Sequence, residues 1–239
     1  MSNRYADLSK FKDIHKGERC FIVLTGPSLT LEDVEMLKDE TTFAVNSCFK
    51  LFSKTSWRPS YYVLTDVLIY KKMGKEIESS DMNCPLFYSR NGLKAEIKKE
   101  NAYPFRSNYF RHMINYFSFG KTRLGWSNDI NKWIADGTSC IYSVMQIIQY
   151  MGFNEVYVIG ADCNYSLPKQ HSDLASYKPL IKVSKNGGEH VLISWKSIKY
   201  HLEKRNNQLK VYNSTRGGML ELFPRISLEE VLKKEETRL

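Results

Sequence analysis

Residues 20–34 read CFIVLTGPSLTLEDV, and the parsing of that stretch decides the fold. Residues 20–24 are apolar or β-favouring and long enough for a buried strand. Gly26-Pro27 breaks the chain, and a helix start follows at once. Thr30, with Asp33 three residues on, forms a capping-box pattern, and Leu29 and Val34 occupy the two positions of a hydrophobic staple. A strand that turns through glycine into a helix N-terminus offers backbone N–H groups and the positive end of a helix dipole, which suits an anion such as a nucleotide phosphate. Gly26 permits close approach and Ser28 adds a hydroxyl. An ordinary βα turn in any α/β protein carries the same signature. The stretch is neither a Walker A loop nor a GxGxxG fingerprint.

Around this unit, 239 residues at 42% hydrophobic content suffice for a full core, as one domain or one domain with a lid. No apolar run approaches the roughly 18–20 residues that span a membrane, and residues 1–19 are polar, without the apolar core of a secretory signal. Five cysteines, an odd and scattered set with no CxxC, fit buried free thiols in a cytoplasmic protein better than disulfides or zinc. The net charge of +9 implies attraction to nucleotides, acidic glycans or the inner-leaflet surface. The basic residues are spread out, with no RNP-like aromatic motif or basic helical arm, so nucleic acid is not an expected partner.

Further along, strands are predicted at 42–46, 61–65, 85–89, 155–160 and 209–212, and helices at about 31–38, from Gly137-Thr138-Ser139 to a stop at Gly152, from Ser194, and from Ser227. Residues 91–133 are aromatic-rich with little periodicity and read as a small lid or insertion; residues 163–193 read as a mobile active-site loop. The fold class is α/β: a Rossmann-like, mostly parallel sheet with helices on both faces, in one domain over 1–239. Ligands of such sheets bind outside the carboxyl ends of the strands, a rule that selects Thr25, Gly26, Pro27, Ser28, Asn46, Asp66 and Asp162.

The motifs that carry a family resemblance are GPSL after the first strand, VNS at 45–47, RPSYYVLTD at 58–66, DGTS at 136–139, MGFNEVYVIGAD at 151–162 and YNSTRGGMLELFPRISLEEVL at 212–232. In order and spacing they resemble the DUF115 (MptE-like) group, which is often labelled as similar to 6-hydroxymethylpterin diphosphokinase. That group is similar in turn to the bacterial family 42 sialyltransferases and the Maf flagellin glycosyltransferases. The resemblance covers most of the chain outside residues 70–130. It implies a GT-A-variant domain and a metal-independent, inverting transfer from a CMP-sugar co-substrate, with no cofactor. By the resemblance, Gly26, Pro27 and Ser28 match the nucleotide-binding loop, with Thr25 where that family usually has Asn. Asn46 matches a donor-contacting Asn. Asp66 replaces another Asn, where it would repel a phosphate or bind a ribose. Gly137, Thr138 and Ser139 of the DGTS motif join the donor site, as do Gly160 and Asp162 of the Gly-x-Asp motif. Tyr165 falls near a tyrosine that holds the leaving phosphate. His190 stands at nearly the interval of the catalytic histidine and is the candidate base, with His171 in reserve.

The chemistry of the residues agrees. A base titrating near working pH is needed for the acceptor hydroxyl, and the absence of an Asp-x-Asp triplet argues against the common Mg/Mn-dependent UDP-sugar transferases. The expectation is thus a cytoplasmic transferase of a sialic-acid-like sugar or Kdo, acting on a glycan or lipid-linked acceptor, with room for peripheral inner-membrane association and a homo-oligomer. The alternatives are an ATP-dependent pterin diphosphokinase, with Asp66, Asp136 and Asp162 as metal ligands, and a non-catalytic nucleotide-binding protein.

Overall fold

The computed structural model describes residues 5–108, 124–164, 171–176, 187–204 and 208–236. Strand β1 (Arg19–Val23) is buried at every position after Arg19, as a parallel strand covered on both faces must be. It pairs with β2 (Thr42–Val45), Ile22 opposite Phe43. On its other side it pairs with β8 (Glu155–Ile159), Ile22 opposite Val158. Beyond β2 lie β3 (Tyr61–Leu64), β4 (Leu86–Ser89) and β5 (Ala102–Phe105), and beyond β8 lies β9 (Lys210–Asn213). The order is β5-β4-β3-β2-β1-β8-β9, with all seven strands parallel. Short strands β6 (Ser107–Asn108) and β7 (Ile134–Ala135) pair apart from the main sheet. The chain steps outward from β1 to β5 and then returns to lay β8 beside β1. That reversal opens a crevice at the carboxyl ends of β1 and β8.

The helices around the sheet are α1 (Leu31–Glu35), α2 (Val67–Ser79), α3 (Arg90–Leu93), α4 (Ile141–Met151), α5 (Gly187–Lys204) and α6 (Leu228–Glu236), with a 3-10 helix over Asn46–Ser53. The capping box of α1 is formed in both directions: Asp33 N–H donates to Thr30 Oγ1 at 3.3 Å, and Thr30 N–H donates to Asp33 Oδ2 at 2.9 Å. Leu29 and Val34 are both buried, as the staple requires. The same chemistry starts α6, where Ser227 and Glu230 exchange backbone-to-side-chain bonds of 3.2 Å.

Helix α4 ends where its sequence says, with Gly152 at φ 89°. Its burial goes further than one apolar face, for ten of its eleven residues are buried. Residues 124–135 cover the second side: Trp126 Nε1–H donates to Gln149 Oε1 at 2.8 Å and Ser127 N–H to Gln146 Oε1 at 2.9 Å.

The structure departs from the sequence reading in three places. A helix absent from that reading, α2, begins at Asp66, whose Oδ1 accepts from Leu68 N–H at 2.8 Å and Ile69 N–H at 3.2 Å. Within the stretch read as a lid, residues 102–105 are the edge strand of the main sheet, which Pro104 fits because an edge position leaves its missing N–H without consequence; residues 109–123 lie outside the described residues. In the stretch read as a mobile loop, α5 starts at Gly187, ahead of the expected Ser194.

Candidate functional site

The carboxyl ends of β1, β2, β3 and β8 and the start of α4 line a cleft of about 250 Å³ at the reversal point. Thr25 and Gly26 come from β1, Asn46 and Ser47 from β2, Asp66 from β3, and Gly160, Ala161 and Asp162 from β8. Thr138, Ser139 and Cys140 precede α4, His171 stands on the segment 171–176, and Val191 and Trp195 belong to α5. Thr25, Gly26, Asn46, Asp66, Thr138, Ser139, Gly160 and Asp162 are therefore brought to one place. Pro27, Ser28 and Gly137 do not line the cleft, and Tyr165 lies outside the described residues.

In the GPSL turn the amides are engaged by the protein itself. Gly26 N–H donates to Gly160 O at 2.9 Å and Leu29 N–H to Gly26 O at 3.1 Å. Ser28 donates twice to Asp162 Oδ2, through its N–H at 3.3 Å and its hydroxyl at 2.8 Å. Asp162 is thus the anion that this turn holds. A Cβ on Gly26 would overlap Asp162 Oδ2 and Gly160 O and come within 2.9 Å of Asp162 Cγ, so glycine is required here by the closeness of the two strand ends. Gly160 itself has φ 68°.

Asn46 is a non-glycine residue with left-handed backbone, φ 49°. Tyr62, fully buried, fixes that turn: its hydroxyl donates to Asn46 O at 2.6 Å and accepts from Phe49 N–H at 3.0 Å. Inside the cleft, Asn46 Oδ1 and Ser47 Oγ are buried without a hydrogen-bond partner. Each such atom costs about 1–3 kcal/mol, and backbone strain at functional positions is retained where geometry matters to a ligand. Replacing Asn46 with Gly is expected to leave stability unchanged or raise it by about 1 kcal/mol in chemical denaturation. The same change is expected to abolish stabilisation by the cleft's ligand in a thermal-shift assay.

Asp66 enters the cleft as the cap of α2. The DGTS segment is pinned to α5: Thr138 N–H donates to Ser194 Oγ at 3.0 Å, and its hydroxyl lies 2.8 Å from that oxygen and donates to His190 O. His190 sits beside the cleft through that carbonyl, its side chain exposed and outside the lining, while its neighbour Val191 lines the wall. His171 is in the wall itself, Nδ1 lying 3.2 Å from Thr25 Oγ1. Its segment is strapped down: Ser172 N–H donates to Thr25 O at 2.8 Å, and its hydroxyl to Leu29 O at 2.9 Å. From the 3-10 helix, Lys50 Nζ reaches Ser176 O at 3.0 Å and Lys54 Nζ reaches Leu174 O at 3.3 Å.

Burial lowers the His171 pKa, against the opposing pull of Thr25 and of the Asp66 charge. The unfolded chain therefore binds more protons than the folded one as pH falls through the ordinary histidine range, and stability is lost in that direction. Between pH 7 and pH 5, wild type should lose more denaturation free energy than His171→Gln; equal losses would rule out this linkage. Burial also pushes Cys140 up to about 11 and Cys163 up to about 12, so neither cleft thiol is a thiolate nucleophile near neutral pH.

Sequence reasoning did not select Ser47, Cys140, Cys163 or Trp195 as site residues. Ser47 was within reach, since it follows Asn46 at a strand end; the cysteines read as core. Among the described residues, no group of three or more His, Cys, Asp or Glu side chains gathers as a metal site, and no helix is long and apolar enough to cross a membrane.

A seven-stranded parallel sheet with a polar cleft at its reversal point defines a doubly wound, Rossmann-like α/β protein. Two solved structures share this fold. One is the MAf glycosyltransferase from Magnetospirillum magneticum AMB-1, with TM-score 0.58 and 14% identity over 96% of this chain. This chain spans only 40% of that protein's length. The other is the sialyltransferase CstII from Campylobacter jejuni in complex with a substrate analogue, cytidine-5′-monophosphate. Its TM-score is 0.55 at 14% identity, covering 89% of this chain and 86% of the other. At this identity the likeness is one of fold. No protein-family model matches the chain, and no curated protein matches it in sequence.

Proposed function

We propose that this chain is an inverting glycosyltransferase that takes a sialic-acid-like sugar or Kdo from its CMP-activated form, without a divalent cation, to build a surface glycan. The observation that carries the reading is the cleft at the reversal point, where Asn46 Oδ1 and Ser47 Oγ are buried with no internal partner. A nucleoside supplies both donors and acceptors to such atoms. Support also comes from the fold shared with a sialyltransferase that was solved with cytidine-5′-monophosphate.

In this mechanism His190, whose backbone carbonyl accepts from Thr138 beside the cleft, takes the proton of the acceptor hydroxyl as its oxygen attacks the anomeric carbon. The bond from that carbon to the phosphate oxygen breaks on the opposite face, and CMP leaves with the electron pair. Tyr165 is assigned to the departing phosphate. A glycan or lipid-linked acceptor at the inner leaflet fits the net charge of +9. The pterin kinase reading has thinner support, because Asp66 and Asp162 already accept hydrogen bonds from the α2 amides and from Ser28.

A thermal-shift panel tests the reading. Saturating CMP or CDP in the presence of a chelator should stabilise the protein by about 2–3 kcal/mol at a hundredfold excess over Kd. Stabilisation by ATP only with Mg²⁺ would sink it. His190→Ala is expected to lower donor hydrolysis at least about 100-fold while leaving CMP-induced stabilisation in place; unchanged turnover would remove His190 from the mechanism.

A further inference from the structure

The cleft is charged against the ligand proposed for it. Asp66 and Asp162 both line it, and among the described lining residues His171 is the one side chain able to carry a positive charge. That histidine is also held in place: Thr25 Oγ1 lies 3.2 Å from Nδ1, and Ser172, itself 3% exposed, ties the segment to both ends of the GPSL turn. The turn cannot meet an anion in its stead, since the Gly26, Ser28, Leu29 and Thr30 amides are engaged.

We propose that His171 is the anion-binding group of this cleft, taking up a proton as the phosphate end of the ligand arrives and pairing with it as imidazolium. The ligand's identity rests on the reading above; the role of His171 needs only a phosphate-bearing molecule. The proton that charges the ring comes from solvent.

The groups facing His171 set the balance. Asp66 at the end of β3 favours the charged ring, and Asp162 after β8 is the other carboxylate lining the cleft. The cleft thiols Cys140 and Cys163 are neutral, and Asp173 follows on the same segment. Lys50 on the 3-10 helix and Lys54 just after it turn their ammonium groups to carbonyls of the segment that carries His171. Burial outweighs the Asp66 charge and lowers the pKa of the ring. A phosphate within a few ångströms reverses that, because an adjacent opposite charge raises a histidine pKa by about 1–3 units. Affinity for the anionic ligand then falls as pH rises, so binding is coupled to proton uptake.

Histidine-selective ¹³Cε1 NMR tests this on the intact protein, with the His171 signal assigned by its loss in His171→Gln. The ring should titrate about one unit higher with saturating CMP or inorganic phosphate than in the free protein, and be unmoved by cytidine. His171→Gln should weaken CMP severalfold at pH 6.5, approaching well below the ring's pKa the roughly tenfold that a one-unit shift is worth, and leave cytidine binding as it is. If phosphate moves His171 while CMP does not bind, the role of His171 stands and the CMP reading falls. If CMP binds and stabilises the protein while the His171 titration stays put, the CMP reading stands and this inference is overturned. A His171→Gln variant with wild-type CMP affinity overturns it as well.

Discussion

Gly26→Ala is expected to destabilise the protein by about 3 kcal/mol or more, measured by urea denaturation, and to eliminate the response to CMP. The added methyl falls where Asp162 Oδ2 and Gly160 O already are. Neither is the far end of a flexible side chain: one is a carboxylate fixed by Ser28, the other a backbone carbonyl fixed by Gly26 N–H. Overpacking alone costs about 1–3 kcal/mol. Moving Asp162 away would also break charge-assisted bonds to Ser28, each worth about 1.5–3 kcal/mol. Gly218 packs closely on the Asp162 backbone, where its own Cβ would lie 2.8 Å from Asp162 Cα, which limits how far that residue can shift. A wild-type denaturation midpoint in this variant would mean that β1 and β8 do not approach as closely as described.

Gln146→Leu is expected to cost about 4 kcal/mol despite conserving volume and adding apolar surface to a buried helix. Gln146 is 1% exposed, and its amide makes four bonds. Oε1 accepts from Ser127 N–H and Ala135 N–H, both at 2.9 Å, while Nε2 donates to Ala135 O at 3.0 Å and Tyr142 O at 2.7 Å. Leucine leaves two buried N–H groups and one strand carbonyl without partners, at about 1–3 kcal/mol apiece. Since β7 leads directly into the DGTS segment, the cleft wall should loosen with it, seen as lost amide-exchange protection at Ala135. A stability change under about 1 kcal/mol would show that water satisfies these groups.

The two largest effects fall on residues that sequence reading treated unequally. Gly26 was legible because a glycine between a buried strand and a capping box has few other uses, and the strand-end rule then gathered Asn46, Asp66 and Asp162 into one cleft. Gln146 was not legible: on an apolar helix it reads as a solvent-facing residue, and its role depends on residues 124–135 folding back over α4. Helix α2 was hidden because Asp66 was read only as a ligand-facing carboxylate, although Ile69, Met73 and Ile77 keep helical spacing behind it. Strand β5 was hidden by Pro104, which argues against a strand until the edge position is known. The engagement of the Ser28 amide by Asp162 and of the Gly26 amide by Gly160 O are tertiary facts that local motifs do not contain, and they move the search for the phosphate partner from the turn to His171.

The central position of β1 also bears on synthesis. One of its two neighbours, β8, lies in the second half of the chain, with Cys20 paired against Val156. Until those residues leave the ribosome, a strand that is apolar from Cys20 onward has one bare hydrogen-bonding edge in the middle of the future sheet, the kind of edge that recruits foreign strands. Nascent chains cut short before residue 155 should therefore need chaperone protection and aggregate when it is withdrawn, whereas chains extended past β8 should not.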